Sequence, residues 1–171
     1  LFFGIIRKYK GLDLLIKAFS RLKHEKIRLI IAGEFYDNQD YYLDLIQSLE
    51  LDNSIILKNE FIPDNMVVNY FCSCDIVAQP YKSATQSGVT QIAYHFEKPM
   101  LVTDVGGLAE IVKHDVSGYV CSPDVDSVYQ SLNNFFMDNR YDEFVSGVKQ
   151  EKKRFSWNKL VGDIKKLYKD L

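Results

Sequence analysis

Short runs of apolar residues alternate along this chain with longer segments in which apolar residues recur every three to four positions. The short runs predict buried strands, and the longer segments predict amphipathic helices. In 11–23, for example, Leu12, Leu15, Ile16 and Phe19 would lie on one face of a helix. The six predicted strands are 1–6, 27–35, 54–62, 75–81, 99–105 and 117–123. The predicted helices are 11–23, 39–51, 63–74, 88–98, 106–114 and 124–138, and a helical, charged tail over 140–171 is broken near 155–157.

Strands separated by helices form βα units, which build a parallel sheet covered by helices. The sequence therefore predicts an α/β fold, with a doubly wound, Rossmann-like parallel sheet of about six strands and helices on both faces. We expect 1–171 to form a single domain, with 140–171 as a helical extension at its carboxyl end. In such sheets a ligand binds beyond the carboxyl ends of the strands, so the loops after the strands are the places to look for a site.

Composition narrows the function classes. Apolar residues make up 47% and charged residues 26% of the 171 residues, as in ordinary globular proteins. The net charge of −2 gives no support to nucleic acid as a partner. No apolar run reaches the roughly 18 residues of a membrane span, and the first six residues are too short for a signal peptide. Three cysteines, an odd number, favour reduced thiols and a cytoplasmic location.

The metal-binding motifs in the sequence are weak. Cys72 and Cys74 are two positions apart, so on a helix they point to different faces. Asp124 and Asp126 open a predicted helix, where acidic residues are expected for structural reasons. His95 and His114 have no carboxylate or nucleophile that the sequence pairs with them. We therefore predict that the protein holds no metal ion and works without a metal or other cofactor.

Two loops carry chemistry that suits an anion. Arg7, Lys8 and Lys10 follow the first strand, and they form either a solvated basic turn or one side of an anion site. Small hydroxyl residues and Gly88 follow the fourth strand, where Ser87 is either a helix cap or part of an anion cradle at the helix start. Neither a Walker motif nor a GxGxxG dinucleotide fingerprint is present. Cations and an open helix start at the same edge of the sheet predict a site for a diphosphate.

Three further features line the same edge. Gly33, after the second strand, would let the backbone approach a ligand or another loop. Phe61, after the third strand, is either an apolar wall for a base or a core residue. The pair Gly106 and Gly107, after the fifth strand, forms either a tight turn or another open helix start.

The order of these motifs resembles a known family. The stretches FFGIIRKYKGLDLLIKAF, RLIIAGE, YKSATQSGVTQIAYHFEKPMLVTDVGGLAEIV and SGYVCSPDVDSV are similar to the carboxyl-terminal domain of the group 1 (family 4) glycosyltransferases, over about residues 1–140. The resemblance implies one half of a two-domain GT-B enzyme, the half that binds the nucleotide-sugar donor. The amino-terminal acceptor domain would be absent from this chain, and the isolated half would be inactive without it.

The resemblance also implies roles for individual residues. Lys10 and Arg7 would contact the donor diphosphate and stabilise the leaving group. The family's phosphate-binding loop maps onto Thr85, Gln86, Ser87, Gly88 and Val89. Many relatives carry two glutamates eight positions apart, but this chain has Ala84 and Ile92 at those positions, and Gln91 would hydrogen-bond the nucleotide instead.

The function implied is transfer of a hexose-type sugar, with retention of anomeric configuration, from a nucleotide-sugar to a growing glycan or lipid-linked acceptor in surface polysaccharide biosynthesis. Basic runs at 149–155 and 165–169 suggest peripheral contact with the inner face of the membrane, although they also suit a solvated helix face. Two alternatives stay open at this stage. One is a GT-B protein resembling sugar-nucleotide epimerases, and the other is a non-catalytic doubly wound signalling or binding module.

Overall fold

The structure of the protein is a computed structural model that describes residues 1–22 and 26–169. In this part of the chain there are six strands, and all the pairs between them are parallel. The strands are β1 (Phe2–Phe3), β2 (Leu29–Ala32), β3 (Ile55–Lys58), β4 (Val77–Gln79), β5 (Met100–Thr103) and β6 (Gly118–Cys121). Each strand is shorter than its predicted segment. At β1 the reason is Gly4, whose φ of +93° ends the extended backbone.

The strands lie in the order β3-β2-β1-β4-β5-β6. Hydrogen bonds connect β1, β2 and β3 in one half, and β4, β5 and β6 in the other. Two bonds at Leu1 join the halves, because its amino group donates to the Ile76 carbonyl and its carbonyl accepts from the Ala78 amide, both at 2.8 Å. The strand order reverses between β1 and β4, and such a reversal opens a crevice at the carboxyl ends of the strands. The predicted doubly wound parallel sheet is confirmed.

Eight α-helices occur in the described residues, and each begins within two residues of its predicted start or, in the tail, at a predicted break. They are α1 (Leu12–Phe19), α2 (Gln39–Ser48), α3 (Asp64–Cys72), α4 (Gly88–His95), α5 (Leu108–Ile111), α6 (Val125–Met137), α7 (Tyr141–Glu151) and α8 (Trp157–Lys169). Side chains cap several of the starts, as at Asn38, Ser87 and Asp124.

All six helices before the tail end earlier than the sequence prediction, and the cause is clearest at α1 and α4. α1 ends at Phe19 rather than at 23, because the amides of Arg21 and Leu22 bond to carbonyls three residues back and tighten the last turn; position 23 itself lies outside the described residues. α4 ends at His95 rather than at 98. There Glu97 has a φ of +56°, and the Lys98 amide reaches back to the Ala93 carbonyl at 2.9 Å, which together form a Schellman end.

Apolar side chains fill both faces of the sheet. Alternate residues of a strand point to opposite faces, so Ile31 joins one cluster and Ala32 the other. The first cluster, with Phe2, includes buried residues of α1, α2 and α6. The second, with Val102, includes buried residues of α3 and α4. Helices on both faces were predicted and are confirmed.

The tail consists of two helices with different surroundings. In α7, Phe144 and Val148 are fully buried, and a Cβ on Gly147 would lie 1.8 Å from the Val116 carbonyl oxygen. A 3₁₀ helix over Lys152–Phe155 and an extended Ser156 then separate α7 from α8, as the predicted break required. α8 leaves most of its apolar side chains exposed. Of the described helices, none is long and apolar enough to cross a membrane.

Candidate functional site

The loop after β1 and the loop after β4 are packed together at the crevice. Gly11 ends the 3₁₀ helix Lys8–Lys10 with a φ of +67°, and a Cβ on it would lie 1.9 Å from the Pro80 carbonyl oxygen. The Lys82 amide donates to the Tyr9 carbonyl at 2.7 Å. Residues about seventy positions apart in sequence therefore form one continuous rim, and the glycine before α1 is required by this close approach.

Lys10 lies inside that rim. Its Nζ is 3.4 Å from the position that a Cβ on Gly4 would take, and the Val89 side chain at the start of α4 is 3.8 Å from the same point. The ammonium also lies 5.7 Å from the centre of the Tyr81 ring. Burial, and then the charge of Arg7, lower the pKa of Lys10 below its usual value. In the described part of the chain, the Lys10 side chain has no hydrogen bond or ion pair.

Arg7 lies at the edge of the same rim. It is exposed, its guanidinium lies 5.1 Å from the centre of the Tyr36 ring, and its charge affects the pKa of Lys10. The structure thus brings together the two cations that the sequence singled out. Their mutual repulsion favours an anion between them.

The loop before α4 presents an open helix start. The Ser87 hydroxyl accepts from the Val89 amide at 3.3 Å, so Ser87 caps the helix. A Cβ added to Gly88 would meet no atom of the described residues within 4 Å, so none of these residues covers the helix start at this point. Thr85 and Gln86 are exposed beside it. Ser87 can be both a helix cap and part of an anion site, because a capped helix start can still bind an anion through its free amides.

The glycine pair after β5 supports that loop from behind. The Gly107 amide donates to the Thr85 carbonyl at 2.9 Å. Gly106 has a φ of +52°, and a Cβ on it would lie 1.7 Å from the Ala84 carbonyl oxygen. The pair therefore forms a turn that holds the loop of residues 84–87, and not a separate helix start, since α5 begins only at Leu108.

The remaining predicted residues take different positions. Gly33 has a φ of +143°, and a Cβ on it would lie 2.2 Å from the Gly4 carbonyl oxygen. Gly33 therefore contacts the loop after β1. Phe61 is 71% exposed, which excludes the core role. Gln91 is exposed on α4, whereas Ile92 packs against the second core cluster. No three His, Cys, Asp or Glu side chains in residues 1–22 and 26–169 are grouped so that they could hold a metal ion.

Sequence reasoning missed several residues of the rim. Tyr81 is buried between Lys10 and the Ser87 hydroxyl, which lies 3.3 Å from the Tyr81 hydroxyl. Asp13 pairs with Lys82 at 2.7 Å, and this ion pair ties α1 to the loop after β4. The sequence did contain one indication of this ion pair, because Asp13 is an acidic residue among the apolar positions of α1.

The fold of this chain matches that of several solved structures. The chain superimposes on HepE of Anabaena, which was solved in complex with UDP, with a TM-score of 0.83 at 22% identity over 99% of this chain and 49% of that one. The carboxyl-terminal domain of a group 1 glycosyl transferase from Francisella tularensis, solved by itself, gives a TM-score of 0.80 at 21% identity over 91% of this chain and 85% of that one. At these identities the likeness shows the fold.

The sequence comparison identifies the family. The family described as "Glycosyl transferases group 1" matches residues 1–169, so the chain belongs to the group 1 glycosyltransferases. An uncharacterized glycosyltransferase of Methanocaldococcus jannaschii is 28% identical over 99% of this chain and 44% of its own length. A D-inositol 3-phosphate glycosyltransferase of Pseudarthrobacter chlorophenolicus is 28% identical over 69% of this chain and 29% of its own length. The chain spans less than half the length of these curated relatives.

Proposed function

We propose that this chain is the donor-binding part of a retaining glycosyltransferase that takes a hexose-type sugar from a nucleotide diphosphate. The observation that carries the proposal is Lys10, a partly buried ammonium without an anionic partner in the described residues, beside the open start of α4. A diphosphate bound there would receive charge from Lys10 and Arg7 and hydrogen bonds from the amides near Gly88.

The same groups would assist the chemical step. When the bond between the anomeric carbon and the diphosphate breaks, negative charge builds on the leaving phosphate while the sugar becomes oxocarbenium-like. Fixed cations and amides stabilise that charge more than they stabilise the bound donor, and this difference accelerates the reaction. In this proposal Lys10 and Arg7 supply the electrostatic stabilisation, and no metal ion or other cofactor takes part.

The other predicted residues complete the proposed donor site. Phe61, exposed beyond β3, would provide an apolar surface for the base, and Gly33, in close contact with the Gly4 carbonyl, would hold the loop after β1 in place beside the donor. Gln91 would hydrogen-bond the nucleotide from the exposed side of α4. The name of the Anabaena structure, which includes UDP, supports a uridine nucleotide as the first donor to test.

A binding experiment tests the donor site. We expect calorimetry with UDP, UDP-glucose, GDP, GDP-mannose and ADP to show saturable binding by at least one of them. Lys10→Ala should weaken that binding about tenfold or more, since a hydrogen bond between charged groups is lost. Lys113→Ala removes an exposed lysine beyond α5 and is the matched control, which should bind as the wild type does. The proposal fails if none of the nucleotides binds, or if Lys10→Ala binds as tightly as Lys113→Ala.

We further propose that the acceptor is a growing glycan or a lipid-linked sugar, used in surface polysaccharide biosynthesis, and that it binds on an amino-terminal domain. Human and bacterial relatives named as a mannosyltransferase and as inositol phosphate glycosyltransferases support sugar transfer to hydroxylated acceptors. We therefore expect this chain alone to bind donor without transferring sugar. If this chain alone transferred sugar from a nucleotide-sugar to a soluble acceptor, the proposal that the acceptor binds on a separate domain would be contradicted.

α8 supports a cytoplasmic location at the inner face of a membrane. Its apolar residues recur on one face of the helix, and all are between 44% and 82% exposed: Trp157, Leu160, Val161, Ile164, Leu167 and Tyr168. Lys159, Lys165 and Lys166 lie on the other face. Basic amphipathic helices with Trp and Leu on the apolar face bind anionic lipid surfaces in this way.

Sedimentation with lipid vesicles tests this part of the proposal. We expect the protein to bind phosphatidylcholine vesicles that contain about 30% phosphatidylglycerol, and to be released by high salt, because the attraction to anionic lipid is electrostatic. The double variant Lys165→Glu, Lys166→Glu should bind less. Absence of binding, or equal binding by a chain that ends at Ser156, would argue against a membrane role for α8.

A further inference from the structure

A cavity borders the loop after β1, here called the first loop, and Lys10 and Arg7 do not line it. It has a volume of about 440 Å³, within the range of ligand pockets. Its walls come from the loop after β1, the start of α1, the start of α2 and the loop after β4. The side chains that matter for its chemistry are Lys8, Asp13, Asp37, Tyr41, Tyr42 and Lys82.

One polar atom of this cavity is buried without a partner among the described residues. Asp13 is 9% exposed; one of its carboxylate oxygens accepts from Lys82, and the other has no hydrogen bond within the part of the chain that the structure describes. Buried polar atoms are nearly always hydrogen-bonded, so this exception indicates that a ligand or water completes it. The Tyr42 side chain is 3% exposed, and its hydroxyl, which is not among the fully buried atoms, makes no hydrogen bond within the described residues and is available to a ligand.

The charges around the cavity are balanced. Lys82 pairs with Asp13, and the Lys8 amide donates to the Asp37 carboxylate. An anionic ligand would meet the two carboxylates, and a cationic one would meet the two ammonium groups, so neither sign is favoured. Burial, and then the charges of Asp13 and Asp37, raise the pKa of Tyr42 to about 12, so its hydroxyl is a donor at neutral pH. A neutral ligand with several hydroxyl groups, each both donor and acceptor, matches this set.

An aromatic surface narrows the class of ligand. Tyr41 is 47% exposed, and its ring packs edge-on against Tyr42, with 5.1 Å between the centroids and 75° between the planes. The hydroxyl of Tyr42 and the ring of Tyr41 thus offer a hydrogen bond and an apolar face side by side. A pyranose ring has that combination, with hydroxyls at its edge and C–H groups on its face.

We propose that this cavity is a binding subsite for a neutral saccharide unit, separate from the proposed donor diphosphate site. Lys8 and Lys10 belong to the same 3₁₀ helix, so the two sites share the first loop as a common wall. A sugar chain held here would lie beside the donor site. The saccharide assignment comes from the cavity's own groups, and it stands even if Lys10 binds no nucleotide.

Titration with methyl α-glucopyranoside and with maltose tests the subsite, followed by NMR amide shifts and saturation transfer. We expect saturable binding at concentrations up to about 50 mM, with shifts at residues 37–42. Tyr42→Phe removes one hydroxyl without changing shape and should weaken binding about 5- to 10-fold. Tyr41→Ala, at an exposed position, should weaken it as well. Tyr168→Phe, an exposed tyrosine of α8, is the matched control and should bind as the wild type does.

Several results would overturn the proposal. These are absence of saturable binding, binding that survives both Tyr42→Phe and Tyr41→Ala, and an equal response to the open-chain polyol sorbitol. Shifts at residues 85–89 in place of residues 37–42 would assign the sugar to the donor site. Lys10→Ala separates the two proposals, because it should reduce nucleotide binding while the saccharide shifts at residues 37–42 persist.

Discussion

Lys10 occupies a position that disfavours its own charge. Burial and the neighbouring Arg7 both lower its pKa, and no anion among the described residues compensates. An apolar side chain of similar length at this position would make the fold more stable, because burying an ammonium without a partner costs free energy. A diphosphate would reverse both effects by bringing negative charge to the ammonium. A ligand that contacts Lys10 should therefore raise its pKa.

This change in pKa predicts how nucleotide binding depends on pH. Below the lowered pKa, Lys10 is charged in both the free and the bound protein, and affinity should not change. Above it, the free protein has a neutral Lys10, so binding must take up a proton, and affinity should fall as the pH rises, approaching tenfold per pH unit. Calorimetry of UDP binding in buffers of different ionisation enthalpy measures this proton uptake.

Lys10→Arg is the control for that pH dependence. An arginine keeps its charge at every accessible pH, so the alkaline loss of affinity should disappear even if the affinity at neutral pH changes. An identical alkaline decline in the wild type and in Lys10→Arg would assign the titration to another group and would remove Lys10 from the diphosphate site.

At the scale of elements, hydrophobic periodicity was sufficient to predict the order and type of the strands and helices. It did not predict where they end. The end of α4 depends on Glu97 adopting a left-handed conformation, and the end of α1 depends on a tightened turn at Arg21 and Leu22. The position at which a helix ends is set here by local hydrogen bonds, and these leave no trace in the pattern of apolar residues.

The candidate site was predicted only in part, for a physical reason. Loops after β1 and β4 had to meet at the sheet edge once the fold was known, so Lys10 and Ser87 could be selected from sequence. The ion pair between Asp13 and Lys82 joins residues 69 positions apart, and the burial of the Tyr42 side chain depends on packing between α1 and α2. Pairings of that kind depend on side-chain geometry that one sequence does not contain.

The ion pair between α1 and the loop after β4 should stabilise the fold. Lys82→Met removes the ammonium and leaves the nearly buried Asp13 carboxylate without its partner, although the Lys82 side chain is 35% exposed and water screens part of the effect. We expect a loss of about 1–3 kcal/mol in the free energy of unfolding, measured by urea denaturation. Lys82→Met, Asp13→Leu should recover part of the loss, because no buried charge remains.

An exposed ion pair supplies the comparison. Lys159 and Asp163 lie one turn apart on α8 with both side chains about half exposed, so Lys159→Met should change the free energy of unfolding by only about 0.5 kcal/mol. If Lys82→Met proved equally mild, the pair at α1 would have no special role in holding the two loops together.

On the scale of the whole molecule, the reversal of strand order between β1 and β4 determines where chemistry can occur. The first loop and the start of α4 both emerge at that reversal, and the proposed saccharide cavity lies against the same first loop. Two core clusters, one on each face of the sheet, hold these loops in place from below. α7 belongs to that core through Phe144, whereas the exposed apolar face of α8 contributes little to it.

This contrast predicts that the two tail helices differ in their effect on stability. A chain that ends at Ser156 loses side chains that are largely exposed, and its free energy of unfolding should change by less than about 1 kcal/mol. Phe144→Ala removes a fully buried ring that packs edge-on against Tyr119 and should cost about 3–5 kcal/mol. Denaturant titration followed by far-ultraviolet circular dichroism measures both. If the shortened chain unfolded as easily as Phe144→Ala, α8 would be part of the folded core, and its exposed apolar face would no longer be available to a lipid surface.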